Sequence, residues 1–453
     1  MPHRTHLAGL SDVRCRIVPG PPAGRGRTGP AVPADRDRLL AFRLGADRDA
    51  GRSAVGDGSR PAGRGFAVNW PLTVTYCHPL VPPEWIAAHG VRPQWLRLRA
   101  TRESGVAIRR GVCPYAAAWI EATGGRSSSA LGCRQDACGM LAIATTTCDQ
   151  MRYAAALAAG DDQGCTQPVF LMNIPRTWQT EVARQVYRDE LRRLGRFFQR
   201  LGGRAPRPAD LAAVMQRYDA ARQAWRDRPA GCSARQYAEA LAWLRGPLEE
   251  PEPAPPSVAA SATHRMAAGT HPASIAVPAD CFTQGTPEAG VRVALVGGPL
   301  LHDDYRLYDL IEQAGARIVV DGTEGGPRTL PRPFDPHAIE SDPFEELAQA
   351  YFDAFLDAMR RPNSPLYHWL SGQITSQQVQ GIIVHRYVWC DLWHAEVARL
   401  AARCGLPVLD LDAAGPDAGT WPRILTRVEA FLESLVPHGS AAAATLARQT
   451  PLP

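Results

Sequence analysis

Residues 141–175 read LAIATTTCDQMRYAAALAAGDDQGCTQPVFLMNIP. LAIATTT (141–147) is a compact apolar and β-branched run with the length of a buried strand. MRYAAALAA carries the small-residue face of a short helix, and PVFLMNIP (168–175) is a second strand run. A strand, a helix and a strand in that order predict a parallel sheet with helices on its faces. The first strand runs directly into Cys148 and Asp149 at the expected helix start.

Upstream, TYCHPLVPPEWIAAHG (75–90) predicts a short strand, a Pro-rich turn and a helix that Gly90 terminates; Pro83 suits the first turn, where its missing N–H is harmless. Cys113 opens a further helix in GVCPYAAAWIEA. Downstream, TEVARQVYRDELRRLGRFFQRL places Val182, Val186, Leu191, Leu194, Phe198 and Leu201 on one helical face. Pro206 is expected to break that helix, Asp210 to cap the next, and Ser233 to cap a third, ARQYAEALAWL. A second block then alternates from VRVALVG (291–297) through the helix RLYDLIEQAG to the strand ARIVVDG. It continues with the acidic helix PFEELAQAYFDAFLDAMRR, the strand GIIVHRYV into Cys390, the helix WHAEVARLAARCG, the strand LPVLDLD and a final helix RILTRVEAFLESL. The expected fold is α/β, with two doubly wound, Rossmann- or flavodoxin-like parallel-sheet lobes at 66–176 and 290–437. A helical segment (177–246) and a Pro/Ala-rich linker (247–289) separate them, and tails cover 1–65 and 438–453.

Bulk composition narrows the function. Hydrophobic content of 45% and charged content of 21% suit a globular chain. No run approaches eighteen apolar residues and the N-terminus lacks a signal-peptide core, so a cytoplasmic protein without a membrane span is expected. All fifty basic residues are Arg, which excludes a standard P-loop and Lys Schiff-base chemistry. Residues 1–65 hold twelve Arg, six Asp and no Glu, so the net charge of +5 resides in this segment. Almost no aromatic residue accompanies those arginines, and the segment reads as a disordered tail or sequence upstream of the true start rather than a nucleic-acid arm.

Eleven cysteines in such a chain read as ligands and core fillers rather than disulfides. Cys113, Cys148 and Cys390 each sit at a helix start, where unpaired N–H groups and the helix dipole favour thiolate. Cys148 and Cys390 also follow strands, one per lobe, which points to a site in the cleft between lobes. Three gathered thiolates suggest a soft-metal or iron–sulfur site with one open position, although the spacings match no zinc-finger or ferredoxin string, and a cysteine at a strand end is equally a small buried hydrophobe. Cys404 is expected to pack at a helix end, Cys133 and Cys138 have the wrong spacing for a redox pair, and Cys15, Cys165, Cys232 and Cys281 have no evident partners. Cys77, beside His78, is a reserve candidate.

The order of PPEWIAAHG, VCPY, ATTTCD, NIPR, IEQAGARIVVDGTEGG, VWCDLWHAE and TRVEAFLES resembles the 2-hydroxyacyl-CoA dehydratase family, which includes benzoyl-CoA reductase subunits and the D-component of 2-hydroxyglutaryl-CoA dehydratase. The resemblance runs from about residue 70 to 435. It implies that Cys113, Cys148 and Cys390 bind a [4Fe–4S] cluster through three irons and leave the fourth open. It also implies a homologous second subunit, an ATP-hydrolysing iron–sulfur activator and an acyl-CoA substrate; the missing P-loop agrees with ATP hydrolysis on another protein. In the implied reaction one injected electron turns the thioester carbonyl into a ketyl radical anion, hydroxide leaves C2, the C3 proton becomes acidic and the electron returns. A benzoyl-CoA reductase-like subunit, a non-catalytic electron-relay partner and a structural zinc or binding protein are the alternatives. Around the cysteines, Asp149 and Asp391 are expected to act as helix N-caps and one of His385 and Arg386 to face the cleft. His394 and Glu396 are expected on a solvated face, and Glu84, Arg176, Glu312 and Asp321 in ion pairs or structural roles. The arginines of 184–204 could meet CoA phosphates.

Overall fold

The computed structural model describes residues 72–100, 111–123, 140–159, 168–229, 231–248, 290–413 and 420–436, all within one unit, Val68–Pro453. Both tails, the expected start at Phe66, most of the linker, and Cys15, Cys133, Cys138, Cys165 and Cys281 lie outside the described residues.

The first sheet contains β1 (Thr73–Tyr76), β2 (Arg92–Trp95), β3 (Met140–Thr145) and β4 (Val169–Met172), in the order β2-β1-β3-β4 with every pairing parallel. The second contains β5 (Val291–Gly297), β6 (Ala316–Gly322), β7 (Gly381–Tyr387) and β8 (Val408–Ala413), in the order β6-β5-β7-β8, again all parallel. The two lobes therefore share one topology, and the α/β reading holds. In each, the chain reverses its direction of winding between the first and third strands, and ligands of open α/β sheets bind beyond the strand ends at that switch.

Strand residues alternate between two helix-covered faces. In β3, Leu141 and Ile143 face a core with α1 (Pro83–Ala88), α4 (Glu181–Arg200) and α5 (Pro208–Gln223). Ala142 and Ala144 face α2 (Pro114–Thr123) and α3 (Asp149–Ala159), where alanine lets the helices approach closely. In β5, Val293 and Leu295 meet α6 (Ala234–Trp243), α7 (Arg306–Gln313) and α12 (Thr420–Leu435). Ala294 and Val296 meet α10 (Ser364–Ser376) and α11 (Asp391–Cys404). The short α8 (Pro336–Ser341) and α9 (Pro343–Phe352) come from the second block of sequence yet pack in the core of the first sheet. The chain thus crosses between lobes, and a buried trio fastens the crossing: Glu84 on α1 accepts from Arg222 on α5 and from the Tyr351 hydroxyl on α9 (2.7 Å).

Four local expectations are corrected. The buried stripe of α4 is Ala183, Tyr187, Leu191, Leu194 and Phe198, whereas Val182 is 74% exposed and Leu201 40%. Tyr187 claims the inner face because its ring stacks on Phe352 and its hydroxyl donates to the Leu80 carbonyl (2.9 Å). The helix ends at Arg200, before Pro206, with Gly202 (φ +96°) just beyond the capping Leu201 and the Gly203 amide turned back to the Phe198 carbonyl (2.9 Å). Asp210 sits in the first turn of α5 and accepts from the backbone of Arg207, the capping residue, whereas Ser233 caps α6 as expected (3.2 Å from Gln236 N). The acidic helix stops at Phe352 instead of continuing to Arg361. Asp357 accepts from the Met359 amide (2.8 Å) and from the buried Arg328 guanidinium (3.1 Å), and Arg328 also donates to the Leu356 carbonyl. Those bonds hold residues 355–359 in an interior turn that a straight helix cannot reach.

Candidate functional site

The carboxyl ends of the third strands, β3 and β7, deliver Cys148 and Cys390 to one cavity, and the first strands deliver Cys77 and Pro299. Cys113 enters the same cavity from the start of α2. The cavity measures about 370 Å³. All three cysteines singled out by the sequence, and the reserve Cys77, therefore line one space between the lobes.

Each of the three occupies the residue before the first turn of its helix, the position from which a side chain receives an otherwise unpaired amide. The Ala116 amide donates to Cys113 Sγ (3.3 Å) and the Met151 amide to Cys148 Sγ (3.4 Å). Cys390 holds the same position but makes no capping hydrogen bond, although the nearby Trp393 amide favours its ionised form. The cysteines themselves thus hold the capping positions, and the expectation that Asp149 and Asp391 would be the caps is corrected: each is the first helical residue. Asp149 instead lies 3.8 Å from Arg152. Gln150 ties two cysteine loops together, accepting from the Cys113 amide (2.8 Å) and donating to the Gly111 carbonyl (3.1 Å).

Burial outweighs the helix amides, raising Cys148 to about 12 and Cys390 to about 11, and it raises Cys113 as well. Charge on one thiol further opposes ionisation of another: Cys113 and Cys390 both raise Cys148, and Cys113 raises Cys390. Without a bound cation these sulfurs are neutral thiols, and a metal would have to displace their protons. Among the described residues no group of three or more His, Cys, Asp or Glu converges tightly enough to hold one metal ion. A single tetrahedral ion draws its sulfurs to about 2.3 Å from the metal.

Other lining groups have defined electrostatics. His78 Nδ1 accepts from the Leu80 amide (3.2 Å), and burial, with Arg360 nearby, lowers its imidazole to about 3. Burial, reinforced by the Asp357 charge, raises the Glu324 carboxyl to about 8. Tyr387 stacks on Tyr115 (centroids 6.5 Å apart), its hydroxyl bonded to Asp304 and to the Leu301 amide. Trp389, just before Cys390, has φ +69° and is 58% exposed at the cavity edge. A left-handed conformation is costly for a bulky residue, about 1–3 kcal/mol, and here it turns the chain from β7 into the cysteine loop.

The remaining expectations divide. Neither His385 nor Arg386 lines the cavity: His385 is buried, and Arg386 reaches sideways to Asp410 on β8 (2.9 and 2.8 Å). Tyr387, the last strand residue, faces it instead. His394 is exposed as expected, but Glu396 is fully buried and accepts from the Tyr367 hydroxyl and from Arg399 (3.0 Å). Glu84 and Asp321 are structural, and the Asp321 carboxylate accepts from Thr323 N (2.9 Å) and the Tyr308 hydroxyl (2.9 Å). Arg176 lines the cavity. The arginines of α4 are largely engaged locally: Arg184 with Asp353, Arg188 with Glu345, Arg192 with Asp189 and Arg193 with Glu190. Cys404 packs at the end of α11, as read from the sequence. Sequence reasoning missed Tyr115, Glu324, Asp357, Arg361, Tyr387 and Trp389. Only Tyr387 and Trp389 had a usable signal, their place beside a strand's carboxyl end.

No helix among the described residues is long and apolar enough to cross a membrane. The sequence model of the family described as HGD-D, 2-hydroxyglutaryl-CoA dehydratase, D-component, matches residues 80–435, a span holding all three capping cysteines. The chain belongs to that family. No curated protein matches it.

Proposed function

We propose that this member of the 2-hydroxyglutaryl-CoA dehydratase D-component family is the iron–sulfur subunit of a 2-hydroxyacyl-CoA dehydratase-like enzyme, eliminating water from an acyl-CoA thioester with one injected electron. The observation that carries this reading is the convergence of three helix-capping cysteines, from both lobes, on one cavity. Cys113, Cys148 and Cys390 would hold a [4Fe–4S] cluster, and when bound it would supply low-potential electron transfer and a Lewis-acidic iron. The chain's own residues have separable tasks. The amides of Ala116 and Met151 orient two of the sulfurs and, as donors to sulfur, would raise the potential of a bound cluster. The stacked Tyr115 and Tyr387 rings, with Trp393, exclude water from the interior wall. Glu324 lines the cavity, and burial with the Asp357 charge beside it favours its protonated form, which would let it donate a proton to a substrate. A homologous second subunit and an ATP-hydrolysing iron–sulfur activator complete the proposal, and a cytoplasmic location goes with it.

Anaerobic purification with iron, acid-labile sulfide and visible absorption measurements tests the reading. Cys148→Ser and Cys390→Ser should each abolish cluster loading, and Cys404→Ser should retain it. Colourless protein containing only zinc, or equal loading in all three variants, refutes the assignment.

A specific observation supports a second reading, an electron-relay subunit with no open iron: Cys77 is a fourth thiol on the same cavity. Under that reading mild oxidation leaves the wild-type cluster intact but converts that of Cys77→Ala to a three-iron form. Under the first reading both convert alike.

A further inference from the structure

We propose that the acyl group admitted to the cysteine cavity is uncharged, and that Arg176 and Arg361 at its edge bind the phosphates of the carrier rather than a carboxylate of the acyl chain. The inference rests on the acyl-CoA reading above and names the substrate class of that same site.

The argument comes from where charge stands along the wall. Among the described residues lining the cavity, Arg176 and Arg361 are the cations, since burial keeps His78 neutral. Both arginines are exposed. They are also adjacent, because the Arg361 amide donates to the Arg176 carbonyl (3.0 Å) and Thr177 bridges to Arg361. Neither has a carboxylate partner among the described residues; Arg361 commits Nη1 to the carbonyls of Ala358 and Arg360 (2.7 Å to the latter). Two arginines on adjoining backbone segments of one cavity wall, neither paired with a carboxylate, suit a phosphate or pyrophosphate.

The interior has the opposite character. Met151, Met359, Leu392 and Trp393 contribute apolar surface. The phenols of Tyr115 and Tyr387 are already engaged, the first with the Cys77 carbonyl (3.3 Å) and the second with Asp304. Four carboxylates line the cavity: Asp149 and Asp391 are exposed, Glu324 and Asp357 are less so, and the Arg328 guanidinium is matched by Asp357. A carboxylate at the end of an acyl chain would meet no free cation inside and would approach Asp357. Burying an unpaired charge beside a like charge is strongly disfavoured, whereas an alkyl or aryl chain meets matching surface.

Pentanoyl-CoA and glutaryl-CoA have acyl groups of equal carbon number and differ at the terminal group, so their comparison isolates the charge. Binding to the full-length, anaerobically purified chain can be followed by tryptophan fluorescence, since Trp389 and Trp393 line the cavity. Pentanoyl-CoA should bind at least tenfold more tightly than glutaryl-CoA. Replacing both arginines (R176Q/R361Q) should weaken pentanoyl-CoA, glutaryl-CoA and free CoA by one common factor, about tenfold at low salt, and leave S-pentanoyl-pantetheine, which lacks the phosphates, unchanged. Equal or tighter binding of glutaryl-CoA, or a loss in the double variant confined to glutaryl-CoA, overturns the inference. Failure of every CoA species to bind removes the acyl-CoA reading itself, an outcome distinct from a reversed preference. The wild-type comparison needs no variant, so a misfolded double substitution leaves the inference falsifiable.

Discussion

Glu84→Gln tests whether the buried trio is a structural fastening. Glu84 is 0% exposed and Arg222 2%. The carboxylate accepts from Arg222 Nη2 at one oxygen and from the Tyr351 hydroxyl (2.7 Å) at the other. Arg222 Nη1 has no hydrogen-bond partner among the described residues, so Glu84 is the main compensation for a fully buried cation. Glutamine preserves the volume and removes the charge. Breaking one side of a buried ion pair costs about 3–5 kcal/mol, because the surviving charge is left in an apolar interior. The Tyr218, Phe334 and Tyr351 rings around the guanidinium offset only part of that, cation–π contacts being worth about 1–2 kcal/mol. Arg222→Met should be similarly destabilising, but the double variant Glu84→Gln/Arg222→Met should lose well under the sum, with a coupling of about 2–3 kcal/mol. Urea unfolding followed by tryptophan fluorescence, compared at constant m, gives these numbers. A loss below about 1 kcal/mol for Glu84→Gln, or strictly additive single variants, would refute the reasoning. Glu84 does not line the cysteine cavity, so the folded variant should keep wild-type iron content.

Asp304 should give the protein a pH-dependent weakness. Burial raises its carboxyl to about 6, against an ordinary value of 3.8, despite the Tyr387 hydrogen bond. The folded state then holds the proton more tightly than the unfolded chain, so stability should fall as pH rises from about 4 to about 6, by up to about 3 kcal/mol, and level off above. Asp304→Asn should therefore be more stable than wild type at pH 7 and lose most of that advantage by pH 4.5; an equal difference at both pH values would exclude the mechanism. On α4, Leu191→Ala should cost about 2–5 kcal/mol and Val182→Ala less than about 0.5 kcal/mol in denaturant titrations; comparable losses would restore the stripe read from the sequence. A Cβ on Gly297 would lie 2.1 Å from the His385 carbonyl oxygen on the neighbouring strand. Gly297→Ala should thus separate β5 from β7 and destabilise by at least about 1–3 kcal/mol, and wild-type stability would show that the strands can part without loss.

The strand–Cys–Asp–helix units were legible because everything that forms them is local. An apolar run makes the strand, the helix begins within two residues of it, and the cysteine occupies the junction. The buried face of α4 was not legible by residue type, since Ala183 and Tyr187 displaced Val182 for reasons of fit across the helix interface. The turn at residues 353–361 was hidden for another reason. Its sequence favours a continued helix, and Arg328, 29 positions from Asp357, overrides that preference.

The sequence by itself determined two α/β lobes, the strand that precedes each Cys–Asp pair, and the absence of any lysine-dependent phosphate loop. It determined these because periodicity, strand length and residue inventory are properties of neighbouring positions. Tertiary structure alone decided that four thiols share one cavity and that burial keeps them protonated despite the helix ends. It also decided that Arg176 and Arg361, without carboxylate partners among the described residues, stand exposed on that cavity while Asp357 is buried. Those outcomes depend on desolvation and on charges brought together from distant segments, and no local pattern encodes either.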